Sequence, residues 1–376
     1  MILASIVRFA VLRGLVLGLA LCAPLWLGQP ALARGASESF APLVKRVLPA
    51  VVNISVAETT MRGPTLPPEL RGTPFERQFR ERFGGRQQTM GAGSGFIVDP
   101  AGFIVTNRHV VGRADRIKVA LADGTEFVAR LIGADELTDI ALLKVNAPRP
   151  LPFVAFGDSR QVEVGDWIIA AGNPFGLGGS VSAGIISARG RDLGAGPFDD
   201  FLQLDAPINP GNSGGPLFNA SGEVIGITTS IESPVRGSVG IGFAVPINRA
   251  RMVLTQVRAG KPVEHAWLGV SIGTLTPDLA ATLGLPEEVR SGLALSQVVP
   301  NGPAAKAGLR GSAAPDGTPR GDVIVAIDGR PVVRVAELSA YLEQKNPGDI
   351  VTVAIWRGGD RKDVAVTLQA WPTSSS

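Results

Sequence analysis

Only two imidazoles occur among the 376 residues, at His109 and His265, so a histidine base must come from one of them. His109 lies in the run Thr106-Asn107-Arg108-His109-Val110-Val111. Further along, Asp139 stands directly before the apolar run Ile140-Ala141-Leu142-Leu143. A carboxylate at the start of a buried strand requires a partner, and an imidazolium is a suitable one. Ser213 is enclosed by glycine in Gly211-Asn212-Ser213-Gly214-Gly215, and glycine lets a backbone come close to a bound group. These residue types suit nucleophilic acyl transfer. A serine hydroxyl is weak at neutral pH and needs an adjacent base. Histidine titrates near the working pH, and an aspartate can hold its tautomer and steady the imidazolium. The glycine turn leaves the N–H groups of Gly211 and Ser213 to receive a developing oxyanion.

The order of the three residues selects among folds. His, then Asp, then Ser is the order of the chymotrypsin fold, whereas subtilisin-like chains run Asp, His, Ser and α/β-hydrolases Ser, acid, His. The glycine turn also fits the G-x-S-x-G elbow of the hydrolases. That alternative would need His265 as base and an acid between. No Asp lies between 214 and 264, only Glu223, Glu232 and Glu264, and the flanks lack alternating strands and helices.

The elements that must position these residues read as short strands and tight turns. Gly 47 and Pro 29 suit such a chain better than a helical bundle. Strands are expected at 50–56, at 95–98 and 103–106 around the turn Asp99-Pro100-Ala101-Gly102, at 117–121 and 125–132 around Asp123-Gly124, and at 140–145. A second set follows at 167–171, 181–188, 201–204, 217–218, 224–230 and 242–245, then a helix at 246–259. Two clusters of about six strands with almost no helix between them predict two stacked β-barrels. A short helix is expected at 37–44, and 59–92 reads as a long Arg/Pro/Gly-rich loop with a helical turn at 75–83.

Composition bounds the setting. Hydrophobic residues at 45% against 18% charged argue for globular folding. The net charge of +3 owes two units to Arg8 and Arg13, so the remainder is near neutral and nucleic acid is not expected as a partner. Those arginines precede an apolar run at 15–27, and Ala31-Leu32-Ala33 offers a small-x-small cleavage site. Residues 1–33 therefore read as an export signal, the alternative being an uncleaved anchor that tethers the chain to the inner membrane. The one cysteine, Cys22, lies inside that leader, so no mature thiolate, disulfide or zinc set is expected, and no metal or cofactor.

The runs TNRHVV, TDIALLKV and GNSGGPL resemble the HtrA/Deg family of serine proteases, as do Gly172-Asn173-Pro174-Phe175-Gly176, Asp205-Ala206-Pro207-Ile208-Asn209-Pro210 and Gly240-Ile241-Gly242-Phe243-Ala244-Val245-Pro246. The resemblance implies a mainly β chain: a chymotrypsin-like double barrel at 93–260, with strand 50–56 and an N-terminal segment at 34–58, then a PDZ domain at 261–372. It implies ATP-independent cleavage of unfolded or damaged exported proteins in the periplasm, and homo-oligomers built on trimers. Relatives selective for basic P1 residues carry a carboxylate six positions before the serine. Here that position is Pro207, so small or medium aliphatic P1 residues are expected. Asn212, the strand Thr228-Thr229-Ser230-Ile231 and the wall Gly240-Ile241-Gly242-Phe243 align with substrate-binding residues of the family. Trp267-Leu268-Gly269-Val270 resembles the carboxylate-binding loop of its PDZ domains, where a C-terminal peptide adds a strand to a sheet edge. Pro303–Leu309, Gly321–Gly329, a helix at 335–344 and strands at 350–356 and 362–368 extend that match, and 311–320 is an insert. A scaffold with an inactive protease domain is the competing reading, disfavoured by the complete triad.

Overall fold

The structure, a computed structural model, describes residues 39–60, 72–73, 75–76, 87–112, 114–174, 178–194, 196, 200–209, 211–229, 238–286, 289–312 and 321–372. The chain divides into two compact units, Met1–Ala41 and Pro42–Ser376, and the account below concerns the second. The leader at 1–33 lies outside the described residues, as does most of the insert at 311–320.

After a short helix α1 (Ala41–Val47), the chain enters β1 (Val51–Thr60), β2 (Gln87–Asp99) and β3 (Phe103–Asn107). A single helical turn α2 (Arg108–Val111) follows, then β4 (Arg116–Ala120), β5 (Glu126–Asp135) and β6 (Ile140–Val145). These strands close a barrel in the order β1-β2-β3-β6-β5-β4. The expected turn at 99–102 forms because Asp99 Oδ1 accepts the Ala101 N–H at 2.9 Å and Gly102 adopts φ +92°. It sets the register Phe96↔Val105 and Ile97↔Ile104, and all four side chains are fully buried, the two adjacent pairs on opposite faces of the sheet.

The second barrel comprises β7 (Trp167–Gly172), β8 (Ser180–Arg191), β9 (Phe201–Leu204), β10 (Pro216–Asn219), β11 (Val224–Thr228) and β12 (Gly242–Pro246), closed in the order β10-β11-β12-β9-β8-β7. Its core joins Ile168, Ile186, Leu204, Leu217 and Ile225. Helix α3 (Ile247–Arg258) then packs back on β5 and β11 with Ala250, Val253 and Val257 buried.

Two expectations shift. The loop at 59–92 is shorter, because the β1–β2 ladder runs on to Thr60↔Gln87. Residues such as Gln87, Gln88 and Thr89 carry no apolar alternation, and only the ladder reveals them as strand. The turn at 75–83 is helical at Phe75 and Glu76, and the rest of it lies outside the described residues.

Beyond α3 come β13 (Ala266–Trp267), β14 (Val270–Thr274), α4 (Pro277–Thr282), β15 (Leu293–Val298), α5 (Pro303–Lys306), β16 (Val323–Ile327), β17 (Arg330–Pro331), α6 (Val335–Leu342), β18 (Ile350–Arg357), β19 (Asp360–Thr367) and β20 (Gln369–Ala370). The sheet order is β14-β15-β16-β18-β19, with β17 on β16 and β13 paired to β20. Leu295, Ile324, Leu338, Val353 and Val366 fill one core beneath it. Asp322, fully buried, is neutralised by Arg357 through Nε at 2.7 Å and Nη2 at 2.6 Å.

The two halves meet through buried charge. Arg249 on α3 is 3% exposed and donates from Nε to Glu343 Oε1, just past α6, at 2.7 Å. Burial pushes the Glu343 carboxyl above its ordinary value although Arg249 opposes this, and burial likewise raises Asp200 against the same arginine. Folding raises both groups, so this face loses stability as pH climbs through the carboxylate range. Arg249→Met should destabilise the protein by about 3 kcal/mol, because Glu343 would lose its paired cation and Asp200 one of the three arginines that oppose its burial. A thermal unfolding midpoint equal to wild type would mean that the pair is effectively solvated.

Candidate active site

Asp139 is placed by its backbone before its carboxylate acts. It sits between β5 and β6 at φ +56°, a conformation that Asp tolerates better than most residues. Its carbonyl accepts the Arg108 N–H at 2.9 Å and Asn107 Nδ2 at 3.0 Å, so the start of α2 is fastened to the acid. The carboxylate then reaches His109 twice. Oδ1 accepts the His109 backbone N–H at 2.9 Å, and Oδ2 lies 2.6 Å from Nδ1. An ionised carboxylate can only accept, so the ring carries its proton on Nδ1 and leaves Nε2 as a base.

Behind Asp139, Asp135 shapes the turn. Its Oδ2 accepts the Thr138 N–H at 3.1 Å and the Thr138 hydroxyl, and it lies 2.9 Å from Nε2 of His265. Both members of this pair are buried, at 2% and 6% exposure for the histidine and the acid. Burial alone pushes the Asp135 carboxyl up, but the imidazole and Thr138 outweigh it and hold the group below its ordinary value.

Ser213 belongs to the turn before β10, wedged between the barrels. Its carbonyl accepts the Ser94 N–H at 2.9 Å, and a Cβ placed on Gly93 would lie 2.6 Å from Val110 and 3.1 Å from that carbonyl. Gly214, at φ +84°, has no room for a side chain: a Cβ there would collide with Ser94 O and Thr106 Oγ1 and lie 3.1 Å from Asn107 N. The serine turn therefore abuts the end of β3 that leads into His109. Among the described residues, no hydrogen bond joins Nε2 to the Ser213 hydroxyl. Such bonds are commonly long in free enzymes and tighten with substrate bound.

The backbone around Ser213 is sorted by direction. Gly211 O accepts Ser94 Oγ at 2.5 Å, Asn212 O accepts Thr228 Oγ1 at 2.6 Å and the Gly215 N–H at 2.9 Å, and Ser213 O accepts Ser94 N. The Asn212 N–H goes to Asn209 O at 3.0 Å, while the N–H groups of Gly211 and Ser213 have no acceptor among the described residues. Two backbone donors, two residues apart with Gly211 at φ +98°, are thus left without an acceptor among the described residues.

The remaining expected residues divide. Thr228 is fully buried on β11 and braces the turn, and Thr229 donates to Phe243 O at 3.1 Å. Ser230 and Ile231 lie outside the described residues. Gly240 has φ +79°, Ile241 is half-exposed, and Gly242 and Phe243 open β12 beside Leu204 and Gln203. Asn212 turns its Oδ1 against Gly172. Pro207 carries no charge, and the nearby acid Asp205 is occupied by the Ile185 N–H at 2.6 Å.

In the C-terminal half, Trp267 stacks edge-on against Trp371 at 6.0 Å. Gly269, at φ +78°, turns the chain so that Leu268 O accepts the Ala304 N–H and Gly269 O the Val299 N–H. The N–H groups of Leu268 and Gly269 have no acceptor among the described residues. Val270 opens β14, an edge strand, with Val270, Ile272, Val335 and Leu342 packed on the core beside α6. Sequence reasoning missed Ser94, Asp135 and Thr138, and left His265 without a role.

A trypsin-like peptidase domain model matches residues 93–227, and a PDZ domain model matches 266–368. The chain is 45% identical over 365 residues to a DegP-like periplasmic serine endoprotease of Brucella suis, covering 89% of this chain and 69% of that protein. It is 42% identical over 370 residues to a protein of the same description from Pseudomonas fulva, covering 94% and 75%. Among solved structures, the HtrA-type protease AlgW with decapeptide superposes with a TM-score of 0.70 at 37% identity, covering 89% of this chain and 99% of that one. A serine endoprotease from Yersinia pestis gives a TM-score of 0.59 at 33% identity over 89% and 98%.

Proposed function

This chain belongs to the HtrA/DegP-like family of serine endoproteases, and from that premise we propose that it cuts unfolded or damaged exported proteins without ATP, with His109, Asp139 and Ser213 as its triad. The observation that carries the reading is the 2.6 Å contact of His109 Nδ1 with Asp139 beside a serine turn that leaves two N–H groups unengaged. His109 Nε2 takes the Ser213 proton as Oγ adds to the scissile carbonyl. Gly211 and Ser213 N–H hold the oxyanion, and the imidazolium returns the proton to the departing amine. Water then repeats the sequence on the acyl-enzyme, releasing the acid and restoring the serine.

Substrate backbone pairs with the segment at 228–231, and the wall at Gly240–Phe243 with uncharged Pro207 favours small or medium aliphatic P1 side chains. Peptide C-termini dock on Trp267-Leu268-Gly269-Val270, adding a strand to β14 with the carboxylate at the N–H groups of Leu268 and Gly269. The Brucella suis and Pseudomonas fulva relatives are described as periplasmic, which supports the same location here, with 1–33 as leader or anchor; the assembly proposed from the family resemblance is a trimer or a multiple of it. Among the described residues no helix is long and apolar enough to cross a membrane.

Mass spectrometry of fragments from unfolded casein, digested without ATP, tests the reading. The new C-termini should be mostly Val, Ala and Ile. Fragments ending chiefly in Lys or Arg would overturn the pocket assignment, and no fragments at several temperatures would restore the scaffold alternative.

A further inference from the structure

We infer that the hydroxyl of Ser94 is a positioning residue that holds the oxyanion pocket in its receptive form, an inference that rests on the triad reading above. Ser94 lies on β2 in the first barrel and is fully buried, yet each of its polar atoms is engaged at the seam between the barrels. Its N–H donates to Ser213 O at 2.9 Å, and its carbonyl accepts the Thr106 hydroxyl at 2.7 Å. Its Oγ accepts the Asn173 N–H at 2.8 Å. A hydroxyl has one proton, and with Oγ already accepting, that proton goes to Gly211 O at 2.5 Å.

The consequence follows from peptide planarity. The Gly211–Asn212 peptide is pinned at its oxygen by Ser94 and at its nitrogen by Asn209 O. Ser94 thus turns two of the three carbonyls of 211–213 inward, one by side chain and one by main chain. Gly211 is the residue with the freedom to undo this, because without a Cβ it rotates at little cost. Were its carbonyl released, it could swing toward the pocket and fill it with a dipole of the wrong sign. Asn173 keeps the hydroxyl aimed, since it is itself fixed by Asn53 Nδ2 donating to its carbonyl at 2.8 Å and by the Gly179 N–H donating to its Oδ1 at 3.0 Å.

The test compares wild type, Ser94→Ala and Ser94→Cys on a short ester and with a peptide boronic acid, whose tetrahedral adduct on Ser213 needs the pocket. Ser94→Ala should lower kcat about 10–100-fold with KM within about twofold, and weaken the boronate by a similar factor. Ser94→Cys, whose thiol is a weak donor, should fall between. A purely structural role would lower the unfolding midpoint but leave kcat of the folded fraction and boronate affinity alone. Wild-type kcat in Ser94→Ala, or a reduced kcat with unchanged boronate affinity, overturns the inference. If Ser94→Ala does not fold, the same criteria apply to Ser94→Cys. Should Ser213→Ala itself remain active, the triad reading fails instead, whatever Ser94 does.

Discussion

Replacing Ser213 by Ala should lower kcat on an unfolded protein by about 10⁶, the scale of loss when the nucleophile of a serine triad is removed. Cleavage would cease on any practical gel while the fold persists, because the change removes a hydroxyl that makes no hydrogen bond among the described residues. The carbonyl contacts of the turn are backbone and survive the substitution. Peptide affinity at Trp267–Val270 should stay at the wild-type value, since β14 and its loop are built from a separate core. Fluorescence anisotropy of a labelled C-terminal peptide, run beside the digestion, reads both outcomes. Residual cleavage above about one part in a hundred would require another nucleophile.

Asp139→Asn should cost about 10⁴ in kcat, and for a different reason. An amide can still accept the His109 backbone N–H, now made to Oδ1 at 2.9 Å. Its NH₂ then faces Nδ1, where the carboxylate oxygen lies 2.6 Å away, and forces the ring to carry its proton on Nε2. That tautomer cannot take the serine proton. Asn tolerates φ +56° as well as Asp does, so backbone strain is not introduced and the unfolding midpoint should move little. Ester hydrolysis at neutral pH with a parallel thermal melt separates the two effects. A variant within tenfold of wild type would show that Asp139 is dispensable for setting the tautomer.

The double barrel was legible because its strands are short apolar runs and its turns carry Gly at required places, as at Gly102 and Gly124. The residues proposed as the triad stand out because each sits in a run whose neighbours have local duties: Asn107 and Arg108 bind the Asp139 carbonyl, and Gly214 fits where no Cβ can. Ser94, Asp135 and His265 carry no such signature. Their partners lie 117 and 130 residues away, across barrel and domain seams that no periodicity encodes. The one-turn helix at His109 was too short for a helical pattern, and the polar arm at Gln87–Met90 too hydrophilic for a strand pattern.

The link between Asp135 and His265 bears on modularity. The match to the peptidase family model ends at 227, and α3, the last element of the barrel half, ends at Arg258, which invites cutting the gene there. Such a fragment would retain the three proposed triad side chains yet take the His265 imidazole away from Asp135, leaving that carboxylate to Thr138 beneath the acid turn. The catalytic portion is thus no detachable cassette. A cut that keeps this pair intact falls after His265, at the edge of the matched PDZ segment, not at Arg258.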